Sequence, residues 1–215
     1  MINHIDVSSV LRRTVCDLYS NLVTRPTGAA VRTEIETQVA ALEGRTLTVI
    51  DFSNVNLLDF SCADEIVAKL LLRFSGGPPC ADGSGPPPAH DGYFIFRGLH
   101  DAHLDAIETV LERHGLALVA ESEEGAQLVG TVDDGDRRAW EEVCRLGSAA
   151  AEELAGAIGS SVEDTRSRLD ALERRRLVMR LDGSYVAIGA IGGGAARADA
   201  RPEAAAPLAD EERTP

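Results

Sequence analysis

TLTVIDFSNVNLLDFSCADEIVAKLLL, residues 46–72, decides the fold. Its first part carries Leu47, Val49 and Ile50 and then meets the turn-forming Asp51-Phe52-Ser53-Asn54, the pattern of a buried strand. Its last part carries Ala63, Ile66, Val67, Leu70 and Leu71 at spacings of three and four, the apolar stripe of a helix. Between the two lies Leu58-Asp59-Phe60-Ser61-Cys62. A strand that empties through a short polar loop into a helix sets a carboxylate and a hydroxyl beside unpaired backbone N–H groups, where the helix dipole favours negative charge. The loop reads as a place to carry or recognise a phosphate.

Upstream, residues 7–19 fit a helix behind a Ser8 or Ser9 cap, with Val10, Leu11, Val15 and Leu18 on one side, while 18–24 also alternates as a strand does. Residues 25–28 read as a turn, and 29–43 as a helix with Val31, Ile35, Val39 and Leu42 inward and Gly44 ending it. Downstream, proline and glycine dominate 75–91, a flexible loop interrupting the domain. A strand over 92–97, a helix over 99–114 and a strand over 116–120 follow, the last folding back through 122–125 onto 126–129. Alternating strands and helices point to an α/β sandwich.

Val132-Asp133-Asp134-Gly135-Asp136 reads as a boundary. Beyond it the pattern gives helices over 138–147 and 149–158 and a third, capped by Ser160 or Ser161, in which Val162, Thr165, Leu169 and Leu172 recur at helical spacing. Two strands, 177–181 and 184–188, flank Asp182-Gly183, a strong hairpin signal. From 189 onward the chain has too few bulky apolar residues to fold. The expected organisation is a domain over 1–131, a small one over 136–188 and a disordered tail over 189–215.

A net charge of -14 over 215 residues opposes unaided binding to nucleic acid or anionic lipid, which runs on phosphate neutralisation. Four cysteines (Cys16, Cys62, Cys80, Cys144) form no CxxC pair, so neither a zinc site nor a disulfide framework is suggested. With no signal-peptide pattern and no apolar run near the ~20 residues of a membrane span, a cytoplasmic protein that does not enter the membrane is expected. Asp51, Asp59, Asp64 and Glu65 are imaginable as a metal or acid/base cluster, but acidic residues in a first helical turn are the expected complement of the dipole. His100 and His103 lack a third ligand. No catalytic residue, metal or cofactor is therefore assigned.

Val49-Ile50-Asp51-Phe52, Val55, Leu58-Asp59-Phe60-Ser61 and Ala63-Asp64-Glu65-Ile66 resemble the STAS family, the domain of sulphate transporters and anti-sigma-factor antagonists, and more closely a STAS-like subgroup marked by a DF pair on the strand and an ADE run opening the helix. The likeness takes in Thr24-Arg25-Pro26-Thr27-Gly28 and covers roughly residues 15–130. It implies a sheet backed by helices that docks regulatory protein partners, sometimes switched by phosphorylation, with no catalysis. In phosphorylated antagonists the position matching Ser61 accepts the phosphate, which makes Asp59, Ser61 and Asp64 the candidate switch loop. The chain departs from that pattern at Phe60 and Cys62, where small residues are usual. A structural reading stands beside this one: Ser61 caps the helix, at about 0.5–2 kcal/mol.

Residues 149–178, with the hairpin at Asp182-Gly183, resemble a winged helix-turn-helix. That family lays its third helix in the major groove of DNA, which implies Ser161, Thr165, Arg166 and Ser167, with Ser160, facing bases, and Arg174, Arg175, Arg176 and Arg180 reaching phosphates. Between Arg137 and Ile188, however, nine arginines meet nine acidic residues, a net charge of zero. Duplex DNA and a second protein partner both remain open as its target. The expected function is a transcription regulator with a partner-docking domain and a DNA-binding output, or an adaptor of the partner-switching type with no DNA contact.

Overall fold

A computed structural model describes residues 1–15, 21–75 and 91–189. Its centre is a five-stranded sheet in the order β1 (Ile2–Asp6), β3 (Thr46–Asp51), β5 (Gly92–Arg97), β6 (Ala117–Ser122), β7 (Gly125–Gly130). The first four strands run parallel, and β7 returns antiparallel through a tight hairpin. The chain is thus mixed α/β with a mainly parallel sheet. A second, two-stranded parallel pair joins β2 (Asn21–Leu22) to β4 (Leu57–Leu58).

The connecting helices are α1 (Val7–Thr14), α2 (Arg25–Ala40), α3 (Phe60–Ala63), a π-helical segment (Asp64–Ala68), α4 (Lys69–Phe74) and α5 (Asp101–His114). They share one core with Ile5, Ile50, Phe52, Phe94, Phe96, Leu118 and Ala120, all from a single face of the sheet. Successive strands laid down in one direction by crossovers of one hand put every connecting helix on the same side. The other face, carrying Leu47, Val49, Tyr93, Ile95, Ala117 and Val119, is covered by the C-terminal part of the chain.

That part comprises α6 (Asp134–Leu146), β8 (Ser148–Ala149), α7 (Ala151–Ile158), α8 (Val162–Arg174), β9 (Val178–Leu181) and β10 (Ser184–Ala187), with the strands ordered β8-β10-β9. Asp182 and Gly183 both take positive φ, 48° and 86°, as the two-residue hairpin turn requires. Trp140 is buried and donates from Nε1 to the Leu177 carbonyl at 3.1 Å, and Tyr185 donates to Asp170 at 2.6 Å. Arg176, at φ 60°, locks the unit to the sheet. It donates to the Phe74 carbonyl (3.0 Å) and the Tyr93 hydroxyl (3.2 Å), pairs with Asp91 (3.1 Å) and stacks over the Tyr93 ring.

Several local expectations need correction. The first element is a strand, and α1 is capped by Asp6, whose carboxylate accepts from the Ser8 N–H, not by Ser8 or Ser9. Residues 25–28 are the first turn of α2 rather than a loop, because Thr24 caps the helix and Pro26 fits a position whose N–H is unpaired anyway. The boundary over 132–136 is itself the start of α6, capped by Asp133. The expected loop over 75–91, apart from its end residues, and the expected tail beyond Gly189 lie outside the described residues, as do Cys16 and Cys80.

Candidate functional site

β2 and β4 pair side by side and in parallel, and each feeds a helix, so the N-termini of α2 and α3 emerge together. The Asp59 N–H binds the Leu22 carbonyl at 2.8 Å and fixes this arrangement. Gly28 allows the two helices to touch: a Cβ there would stand 3.0 Å from the Cys62 Cα and 3.1 Å from the Glu65 Cβ. The fold thereby brings 24–28 and 59–65, far apart in sequence, into one site.

Asp59, not Ser61, is the cap of α3. Its extended backbone (φ -85°, ψ 165°) aims a carboxylate oxygen at the Cys62 N–H (2.8 Å), and the Ser61 hydroxyl donates to that same oxygen (2.9 Å). A carboxylate outcompetes a hydroxyl as acceptor at a helix N-terminus, which corrects the reading of Ser61 as the cap. Cys62 is buried, and burial together with the nearby Asp59 charge pushes its thiol up to about 12, so it packs rather than reacts.

Below the loop lies a charged network that no single motif announces. Asp64 and Glu65, both buried, sit in the π-helical turn. Arg25 reaches both, at 3.1 and 2.9 Å, while Lys69 (2.8 Å) and Arg32 (3.5 Å) also hold Glu65. His114, from the end of α5, contacts Asp64 at 2.9 Å, and Glu36 joins Arg32 (3.1 Å) to Arg73. Burial works against the Asp64 charge, yet the hydrogen bonds and charges of His114 and Arg25 outweigh it and hold the carboxyl below its ordinary 3.8. A depressed carboxyl contributes stability above its unfolded value and loses it as pH falls through the folded one. Asp64→Asn is therefore expected to be less stable than wild type at pH 7, with the gap between urea midpoints closing below about pH 4; a gap unchanged at acid pH would contradict this.

Asp51 accepts from the Ser53 N–H at 2.8 Å, a local turn contact. His103 is buried, its ring 3.9 Å from that of His100, and burial with the His100 charge pushes its pKa down to about 4, so it packs as a neutral imidazole. Among the described residues no three His, Cys, Asp or Glu side chains could hold a metal ion, and no helix is long and apolar enough to cross a membrane.

The residues assigned to bases and phosphates are scattered by the fold. Ser161 caps α8 by accepting from the Asp164 N–H at 3.1 Å. Thr165 is fully buried and cannot reach a base edge, which corrects its assignment. Arg166 and Ser167 are exposed, Arg166 pairing with Glu152 at 2.5 Å. Arg174 is exposed, whereas Arg175 donates to the Thr131 carbonyl and Arg176 is consumed by the sheet contacts above. Arg180 lies over the Tyr185 ring, 3.8 Å from Asp170.

Sequence reading missed Arg25, Arg32, Lys69 and His114 as partners of the acidic pair. The i, i+4 spacing of Glu65 and Lys69 was the one local signal available. No protein-family model matches this chain, and no curated protein matches it in sequence.

Proposed function

We propose that this chain is a non-enzymatic, cytoplasmic regulator whose STAS-like part docks a protein partner at the paired N-termini of α2 and α3. The observation that carries the reading is the convergence of 24–28 with 59–65 on one surface. Val23, 41% exposed, lies between β2 and Arg25, whose side chain is 51% exposed, and Leu57, 45% exposed, is on β4, which pairs with β2. Apolar side chains next to a half-free guanidinium make the centre-and-rim composition of a protein interface. The buried network beneath holds the two helix starts rigid, so a partner meets a preorganised surface.

Ser61 regulates that surface through its hydrogen bond to Asp59. A phosphate on Ser61 would set negative charge against the capping carboxylate and compete for the same N–H groups. Affinity capture from the source cell with wild type, Leu57→Asp and Ser61→Asp tests the reading. Wild type should retain a partner that both variants lose, while Ser61→Asp keeps a cooperative thermal transition at a cost of about 1 kcal/mol. Equal capture by all three would reject the docking surface.

A second reading, a winged-helix output that binds duplex DNA, is favoured by the exposed Arg166, Ser167 and Arg174 on α8 and by Arg180 on the adjoining strand. It predicts salt-dependent retention of duplex DNA by the full chain, weakened by Arg166→Ala and Arg174→Ala. The adaptor reading is the stronger of the two, because Arg175 and Arg176 hold this unit onto the sheet and its arginines are matched by acids.

A further inference from the structure

We propose that the groove between α5 and the free edge of β7 takes an extended basic peptide segment as an added strand of the sheet. Among the described residues β7 pairs with β6 alone. The Leu128 carbonyl turns away from β6, since it accepts from Arg137 Nη1 at 3.2 Å. Residues of an antiparallel ladder alternate between facing the partner strand and facing away, so Ala126 and Gly130 turn their N–H and C=O groups outward with Leu128. Such a row is a template for another strand.

What distinguishes this edge is the trough beside it. Leu104, Glu108 and Glu112 on α5, residues 127–130 of β7 with Thr131 after it, and Arg137 line a groove of about 480 Å³. An edge strand flanked by a helix is the arrangement in which peptides bind by strand addition, backbone hydrogen bonds giving affinity and alternate side chains giving specificity. Val129 faces the α5 side of the sheet and Leu104 packs against the same core, which supplies an apolar floor. Glu108 and Glu112, one helical turn apart and both exposed, make no ion pair among the described residues. A strand laid against β7 would present every second side chain to this face. Charge complementarity then asks for one apolar residue followed by two basic ones at alternate positions. Arg137, spanning the edge at Leu128, is the group that an incoming strand displaces.

The test uses the full chain and a capped heptapeptide, Thr-Val-Thr-Lys-Thr-Lys-Thr, followed by fluorescence anisotropy. Saturable binding is expected, with exchange of the Ala126, Leu128 and Gly130 amide hydrogens slowed in the complex. N-methylation of the peptide amides that face β7 should weaken binding about tenfold, the worth of a lost backbone hydrogen bond. Glu108→Gln with Glu112→Gln should weaken it about threefold or more, less so in high salt. Absence of saturable binding up to about millimolar peptide, indifference to N-methylation, or unslowed amides at those three residues would each overturn the proposal. So would sedimentation showing a dimer that the peptide dissociates, because the edge would then be filled by a second copy of the chain.

Discussion

A chain ending at Thr131 is expected not to fold into a stable domain, although the sequence suggested a boundary just beyond that residue. Truncation strips the second face of the sheet and exposes Leu47, Val49, Tyr93, Ile95, Val119 and Leu128, all of which are buried in the intact chain. Re-exposing six such side chains at about 1.5–3 kcal/mol each costs roughly 9–18 kcal/mol as an upper bound, comparable to the whole stability of an ordinary domain. The Arg176 contacts with Phe74, Tyr93 and Asp91 go with it. Loss of near-UV circular dichroism, binding of a hydrophobic dye and heavy sedimenting species are the expected signs. A monomeric fragment with a cooperative transition within about 5 °C of the intact chain would mean that the C-terminal unit is a dispensable attachment.

Much of the frame was legible. β3 and the helix after it, β5, the β6–β7 hairpin, the Ser161 cap and the Asp182-Gly183 turn all follow from apolar period and turn chemistry, which are local properties. β1 escaped because INHID is short and half polar, and its burial comes from pairing with β3. The covered second face was signalled and passed over. In β5, Tyr93 and Ile95 are as apolar as Phe94 and Phe96, and a strand apolar on both faces needs cover on both. Reading 136–188 as a separate module left that cover unassigned.

The site divides the same way. Asp59, Ser61 and Asp64 were visible because they crowd one loop, while Arg25 lies 39 residues from Asp64 and His114 lies 50 from it, so only the fold reveals their pairing. Three consecutive arginines, 174 to 176, look alike in sequence. In the structure one is exposed, one bonds the Thr131 carbonyl and one is locked against Tyr93, differences set by the left-handed turn at Arg176 and by what the sheet offers.

Glu65→Ala is expected to cost about 1.5–3 kcal/mol, because it removes the buried carboxylate on which Arg25, Arg32 and Lys69 converge. Glu65 is 3% exposed and is held by Arg25, Arg32 and Lys69 from two elements. Removing it takes away one of the two carboxylates that Arg32, 14% exposed, pairs with among the described residues, and leaves Arg25–Asp64 as the link from the start of α2 to the π-helical turn. Glu65→Gln keeps the shape and some hydrogen bonds but not the charge, and should fall between wild type and alanine. The pair Glu65→Ala and Lys69→Ala supplies the control: if the network acts as a unit, the double variant loses less than the sum of the two singles. Urea denaturation of the four chains measures this. A loss below about 1 kcal/mol for Glu65→Ala, or strict additivity with Lys69→Ala, would mean that water screens the network and that the helix starts are held by Gly28, Cys62 and the β2–β4 pair alone. Partner capture should follow stability: a variant that frees α2 from α3 blurs the surface on which Arg25, Val23 and Leu57 meet, and binding should weaken even though none of those residues has changed.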